Sequence, residues 1–158
     1  MSRTSGRHLP HVVPEASGRE PGGRRGARER VLELLYESDL KDQPLRELVG
    51  ELPVPPQAYA SSLILGVGEH QAEIDGLIAH HAIDWSIDRM PVVDRALLRM
   101  AVFELGWRLD VPTSVVISEA VELAKEYSTD ESGGFVNGML ATISRELRPD
   151  EDKLGTRP

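Results

Sequence analysis

The sequence predicts an all-α protein, a helical bundle of about six or seven helices, from three observations. Apolar residues recur every three or four positions along most of the chain, which is the period of an amphipathic helix. No two segments read as a pair of strands, and no internal repeat is visible. At 158 residues and 40% apolar content the chain can bury one sizeable core, which aliphatic side chains must fill because only 4% of the residues are aromatic.

The two ends of the chain lack this helical period. Residues 1–23 are rich in Gly, Pro, Arg and Ser and predict a disordered leader. Residues 24–148 carry the helical patterns and are expected to form the folded domain. We expect residues 149–158 to form a flexible tail.

The first helix is predicted from Arg24 to about Asp39. One face of it carries Arg24, Arg28, Val31, Leu32 and Leu35. The aliphatic half can bury in a core, whereas guanidinium groups almost never bury unpaired, so the first two turns are expected to project from the body. From the pattern alone, a solvated arginine run and a phosphate-binding surface are equally good interpretations.

Four more helices are predicted in the middle of the chain. A short one at residues 44–51 starts with a proline, which suits the first helical position, and three prolines at 53–56 end it. Longer amphipathic helices follow at residues 57–81, 91–109 and 114–127. Their apolar faces are expected to form much of the core.

The segment GGFVNGML, residues 133–140, carries two conflicting signals. An Asn-Gly pair between apolar residues is typical of a tight hairpin turn. The apolar positions have a helical period, however: Phe135, Val136, Met139, Leu140, Ile143 and Leu147. We therefore predict that the pair lies inside the last helix, although each interior Gly costs about 1 kcal/mol relative to Ala. Ser128 and Glu131 have the spacing of a capping box that would begin this helix.

Net charge is unevenly distributed along the chain. The total is −8, but up to Arg30 seven arginines outnumber three glutamates, a net of +4, so the rest carries −12. Exposed charges more than about 8 Å apart are largely screened at physiological salt. A local arginine cluster can therefore bind phosphate despite an acidic body.

Motifs for catalysis or cofactor binding are missing from the sequence, so we expect no enzyme activity and no cofactor. There is no GxxxxGK[ST], GxSxG or GxGxxG motif and no cysteine. His80 and His81 point about 100° apart on a helix and lack an HExxH-type partner, so no metal site is expected. Without a long apolar run or a secretory signal, the chain is expected to be soluble and cytoplasmic.

The remaining features are typical of single-stranded RNA binding. Guanidinium groups hold phosphates, and splayed bases stack on aromatic side chains. Arg24, Arg25 and Arg28 can supply the first contact. Phe135, beside a row of small residues formed by Gly134, Gly138 and Thr142, can supply the second. The pattern leaves open whether Phe135 is instead a core residue.

Four segments are informative when they are read together. They are RRGARERVLELLY, DRALLRMAVFEL, DVPTSVVISEAVELAKEYSTDES and GFVNGML. In this order and spacing they resemble the bacterial transcription antitermination factor NusB family, across about residues 24–147. The resemblance implies an all-helical fold of two small packed bundles.

The resemblance also implies a function and its partners. The family binds the boxA segment of nascent ribosomal RNA as a heterodimer with ribosomal protein S10, also called NusE, and helps RNA polymerase in an antitermination complex to pass terminators. A basic ribosomal protein would find complementary charge on an acidic body.

Family roles carry over to the matching positions of this chain. The RNA-binding positions correspond to Arg24, Arg25, Arg28, Glu131 and Phe135. Tyr36 and Asp94 match positions linked to the ribosomal-protein partner. Gly26 stands where some members continue the arginine run, so one phosphate contact is either missing or supplied by Arg30 or the leader.

Two alternative functions remain open at this point. NusB-like helical domains also precede the catalytic domains of ribosomal RNA methyltransferases, which would need a cofactor-binding domain beyond Pro158. In the second alternative the chain is a homodimeric scaffold, and exposed apolar surface around the small-residue row binds a second copy.

Overall fold

The computed structural model describes residues 23–83 and 85–151 and confirms the all-α prediction, with no strand among them. The α-helices are α1 (Arg24–Lys41), α2 (Leu45–Gly50), α3 (Ala58–His81), α4 (Val92–Trp107), α5 (Thr113–Tyr127) and α6 (Ser132–Leu147), with a 3-10 turn at Ile87–Arg89. The leader predicted at residues 1–23 lies outside the described residues except for Gly23, and so does the tail beyond Glu151. None of the described helices is both long and apolar enough to span a bilayer.

The chain divides into two compact units at a kink in α3. Unit 1 is Met1–Glu69 and unit 2 is His70–Pro158. His70 has non-helical φ and ψ values of −112° and 18°. Gly66 and Gly68 lie in the turn before it and weaken the helix locally. On the unit 2 side, the His70 ring stacks on Trp107 with 4.5 Å between ring centroids.

Unit 1 contains α1, α2 and the first half of α3. Its helices bury the aliphatic positions that the period predicted: Val31, Leu32 and Leu35 of α1, Leu45 and Leu48 of α2, and Leu63, Ile64 and Val67 of α3. α1 ends at Asp42, whose left-handed φ of 54° turns the chain so that the Gln43 N–H donates to the Ser38 carbonyl. The aliphatic half of α1 is thus anchored, as predicted.

Unit 2 is built around α4. This helix is buried on most sides because it packs against neighbouring helices, and its buried apolar residues include Leu97, Leu98, Met100, Val102 and Leu105. After α6, the buried guanidinium of Arg148 donates to the carbonyls of Leu105, Glu104 and Val111. It thereby adds hydrogen bonds at the C-terminal end of α4, where the Glu104 carbonyl also accepts the Arg108 N–H.

The start of α6 corrects one prediction. Ser128 and Glu131 do not form a capping box, because α6 begins at Ser132 and Glu131 makes no side-chain capping bond. The Ser128 hydroxyl instead donates to Oδ1 of Asp94 at 2.5 Å. The Asn-Gly pair does lie inside α6, so the helical reading of GGFVNGML is confirmed.

Candidate RNA interface

The arginines of α1 meet an aromatic ring in unit 1. Cζ of Arg24 lies 4.2 Å from the centroid of the Tyr59 ring, and Cζ of Arg28 lies 5.7 Å from it. Both distances fall within the roughly 6 Å of a cation–π contact. Arg25 lies between them in sequence and is half-buried. We call these four residues the arginine cluster.

The burial of Arg28 corrects the prediction that the first two turns of α1 project from the body. Arg28 is 3% exposed, whereas Arg24 is exposed. The face of Tyr59 offsets part of the cost of removing a guanidinium from water, since such a contact contributes about 2 kcal/mol when it is desolvated. Arg24 and Arg25 are therefore the members of the predicted set that a phosphate can reach most readily.

The dipole of α1 is unfavourable for basic residues at the start of the helix. The first turn contains no acidic residue, and no side chain of the described residues caps it. A helix N-terminus carries a partial positive charge, so arginines there cost stability. The backbone N–H groups of a first helical turn and guanidinium groups both attract anions. Arginines at this end of α1 therefore lower the stability of the helix but favour the binding of a phosphate.

Two further candidates lie on α1. Arg30 Nη1 donates to Glu33 Oε1 at 2.6 Å, so Arg30 would have to leave this pair to replace an arginine missing at Gly26. Tyr36 is half-buried. Its assignment to the ribosomal-protein partner stays a prediction.

An aromatic pair lies at the start of α6 in unit 2. The rings of Phe135 and Trp85 meet edge to face, with 5.3 Å between centroids and 86° between planes. Phe135 is half-buried and Trp85 is 39% exposed. Glu131 is exposed one turn before Phe135, and its carbonyl accepts the Phe135 N–H. We call Glu131, Phe135 and Trp85 the aromatic cluster; Phe135 is not enclosed as a core residue would be.

The glycines of α6 have two different environments. A Cβ added at Gly133 would lie 3.2 Å from Cγ of Lys125, so this glycine permits close packing of α5. Apart from the flanking residues and the backbone of α6 itself, no atom of the described residues lies within 4 Å of a Cβ added at Gly134 or Gly138. The predicted small-residue row therefore lies on an open face of α6.

Asp94 lies in the first turn of α4 and is 2% exposed. Its Oδ1 accepts the Ser128 hydroxyl, and its Oδ2 accepts the Ser132 hydroxyl at 2.9 Å. The Ser132 oxygen in turn accepts the Thr129 N–H at 3.2 Å. Asp94 thus holds the loop that leads into α6, and its predicted contact with a protein partner is untested.

The structure brings some predicted residues together and adds others. Arg24 and Arg28 share Tyr59 in unit 1, whereas Glu131 and Phe135 are neighbours in unit 2. Sequence reasoning placed Tyr59 only within the amphipathic helix at residues 57–81, and it did not select Trp85. An exposed tryptophan in a connection between helices was a usable signal, because binding residues concentrate in loops.

Comparison with known proteins identifies the family to which this chain is similar. The model of the NusB family matches residues 25–145. The transcription antitermination protein NusB of Thermobifida fusca is 45% identical over 129 residues, covering 79% of this chain and 91% of that protein. Its counterpart from Kineococcus radiotolerans is 46% identical over 125 residues, covering 77% and 92%.

Solved structures are similar over the same range. T. maritima NusB has a TM-score of 0.73 and 38% identity, covering 81% of this chain and 94% of that chain. A crystal structure of the antitermination factors NusB and NusE in complex with dsRNA has a TM-score of 0.65 and 34% identity, covering 78% and 96%. The family model and the high identity over most of both chains show that this chain belongs to the NusB family.

Proposed function

We propose that the protein is a transcription antitermination factor that binds boxA RNA of nascent ribosomal RNA transcripts together with ribosomal protein S10 (NusE). Bound in this way, it promotes processive transcription by RNA polymerase. The observation that carries the proposal is the arginine cluster at the start of α1, in a chain of the NusB family. A related NusB was crystallised with NusE and dsRNA, which supports the same two partners here.

Each RNA-binding residue has a distinct role in this proposal. Arg24 and Arg25 contact phosphates. Arg28 supports them from its buried position against Tyr59. Phe135 stacks on an unpaired base. The carboxylate of Glu131 accepts a hydrogen bond from a base amino group or a ribose 2′-hydroxyl, the groups through which RNA is read.

The protein partner uses different residues. Tyr36 contacts S10 directly from α1. Asp94 acts through the loop that it holds, because a carboxylate with 2% exposure reaches a partner poorly. The acidic part of the chain favours a basic ribosomal protein by charge complementarity.

The wider assembly follows from this function. The complex with RNA and S10 joins RNA polymerase in an antitermination complex, in the cytoplasm, and acts by binding rather than by catalysis. The match to this chain covers more than nine tenths of the length of the two antitermination proteins above. This coverage favours an antitermination factor over a methyltransferase domain.

Measuring the mass of the assembly in solution tests the proposal. The full chain is mixed with S10 and a short boxA-like RNA, and light scattering on the separated species gives their composition. We expect a complex with one copy of each component. A scrambled RNA of equal length serves as the control and should bind at least tenfold more weakly.

Two results would count against the proposal. Equal affinity for the boxA-like and scrambled RNAs would remove boxA as the ligand. A homodimer that persists with S10 and RNA in excess would instead support the scaffold alternative.

A further inference from the structure

We propose that His80, His81 and Glu146 form a binding site for a divalent transition-metal ion such as Zn²⁺. The two histidines end α3, and the glutamate lies in the last turn of α6. All three residues belong to unit 2, whereas the arginine cluster belongs to unit 1.

The ligand atoms are close to metal-binding geometry. One ligand atom from each residue lies within 4.8 Å of the other two. Zinc bonds of about 2.0–2.2 Å in a tetrahedron place ligand atoms roughly 3.3–3.5 Å apart. Nε2 of His81 already lies 2.8 Å from Oε1 of Glu146. His80 is exposed, so a small rotation of its side chain completes the set.

The donor chemistry indicates which metals fit. Two imidazole nitrogens and one carboxylate oxygen are a common zinc set, which leaves a fourth position for water. Imidazole suits Zn²⁺, Cu²⁺ and Ni²⁺, whereas Mg²⁺ and Ca²⁺ prefer oxygen ligands. The site is therefore expected to select against the alkaline-earth ions.

The helix ends favour a cation at this position. α3 ends at His81 and α6 ends at Leu147. A helix C-terminus carries a partial negative charge and carbonyls without intrahelical partners. Arg145 also lies in the last turn of α6, but its Nη1 donates to the Ala141 carbonyl at 3.2 Å, back along the helix.

The sequence did not indicate this site because its third ligand is distant. Adjacent histidines on a regular helix point about 100° apart. Here the pair ends the helix, and the rings meet edge to face with 4.9 Å between centroids. Glu146 is 65 positions from His81 in the sequence.

Metal binding would cross-link the ends of α3 and α6. In the metal-free protein, the His81 Nε2–H donates to the Glu146 carboxylate. A bound ion replaces that proton and adds His80 as a third ligand. Because binding to the folded state alone stabilises it, the melting temperature should rise with Zn²⁺ concentration.

Zinc titration of the full chain tests the site. His8 and His11 are first replaced by Asn, so that only His70, His80 and His81 remain as histidine ligands. Affinity for Zn²⁺ is then measured by competition with a chromophoric indicator. We expect one ion per chain, and His80→Gln, His81→Gln and Glu146→Gln should each weaken binding at least tenfold, since loss of even an outer-shell partner costs about 10–100-fold.

The control variants come from α3, the helix that carries the two histidines of the site. Glu73 is exposed and His70 is half-buried. Glu73→Gln and His70→Gln should each change the affinity for Zn²⁺ less than about twofold. Absence of saturable Zn²⁺ binding would overturn the proposal. So would an equal loss of affinity in the site variants and the controls, or a Mg²⁺ affinity that matches that for Zn²⁺.

Discussion

The arginine cluster and the aromatic cluster differ in the kind of affinity that each can provide. The first places the guanidinium groups of Arg24 and Arg28 against one tyrosine, at a helix start whose first turn has no acidic residue. The second offers two aromatic rings, of which Phe135 lies one helical turn after Glu131, on a helix with an open glycine face. Phosphate contacts release counterions and depend on salt, whereas base stacking depends on it far less. The two clusters can therefore be separated by experiment.

The two clusters also differ in what supports them. The loop before the aromatic cluster rests on a buried carboxylate, Asp94, that accepts two hydroxyl hydrogen bonds. The arginine cluster rests on cation–π contact with Tyr59. Mutations of the two supports should consequently have unequal effects on stability.

The largest expected effect comes from Asp94→Ala. Hydrogen bonds to a charged group contribute about 1.5–3 kcal/mol each, but removing the buried charge also relieves its desolvation. We expect the free energy of unfolding to fall by about 2–3 kcal/mol, measured by urea denaturation. Asp130→Ala, an exposed acid in the same loop, should change it by less than about 0.5 kcal/mol. Equal effects would mean that Asp94 does not hold the loop.

Phe135→Ala should weaken RNA binding by about 1–3 kcal/mol, the usual value for one stacked base. The dependence of affinity on salt should stay as in the native chain, because no charge is removed. Phe135→Tyr keeps the ring and should restore most of the affinity. If the alanine variant melts at a much lower temperature but its folded fraction binds RNA normally, Phe135 has a core role instead.

Arg28→Ala should act mainly on stability. The loss of a buried cation–π contact and of the packed side-chain stem is expected to cost about 1–2 kcal/mol in a denaturation experiment. Arg46→Ala removes an exposed arginine of α2 as the control. Unchanged stability together with a weaker salt dependence of RNA binding would place Arg28 on phosphate directly.

The smallest effect is expected on the open face of α6. Gly138→Ala should raise the free energy of unfolding by up to about 1 kcal/mol, because Ala is a better helix former and its Cβ enters open space. Gly133→Ala should bring less gain, since its Cβ would lie 3.2 Å from Lys125. Equal gains at both positions would show that Gly133 does not permit the close packing of α5.

The sequence predicted features that depend on local pattern. The helical period of the last segment outweighed its Asn-Gly turn signal, since six apolar positions agree on one face. The helices at residues 57–81 and 114–127 appear within one residue of their predicted bounds. The arginine run at the start of the first helix was also visible in the sequence, although the pattern left a solvated run and a phosphate-binding surface equally open.

Features that depend on tertiary neighbours were not predictable in this way. The burial of Arg28 requires Tyr59, which lies on another helix. The Ser128 hydroxyl pairs with Asp94 of α4 rather than with the start of α6, so the capping-box spacing was misleading. No proline in the sequence marks the kink at His70. Glu146 meets His81 only in the folded chain, because the two residues lie 65 positions apart in the sequence.

The central claim is that the arginine cluster binds RNA through phosphate contacts, and salt titration of RNA binding tests it most directly. Affinity for a boxA-like RNA is measured between low and physiological salt for the native chain, for Arg24→Ala plus Arg25→Ala, and for Arg46→Ala. The double variant should lower the slope of log affinity against log salt by roughly 0.7 for each lost contact, while Arg46→Ala leaves it unchanged. An unchanged slope in the folded double variant would contradict the claim.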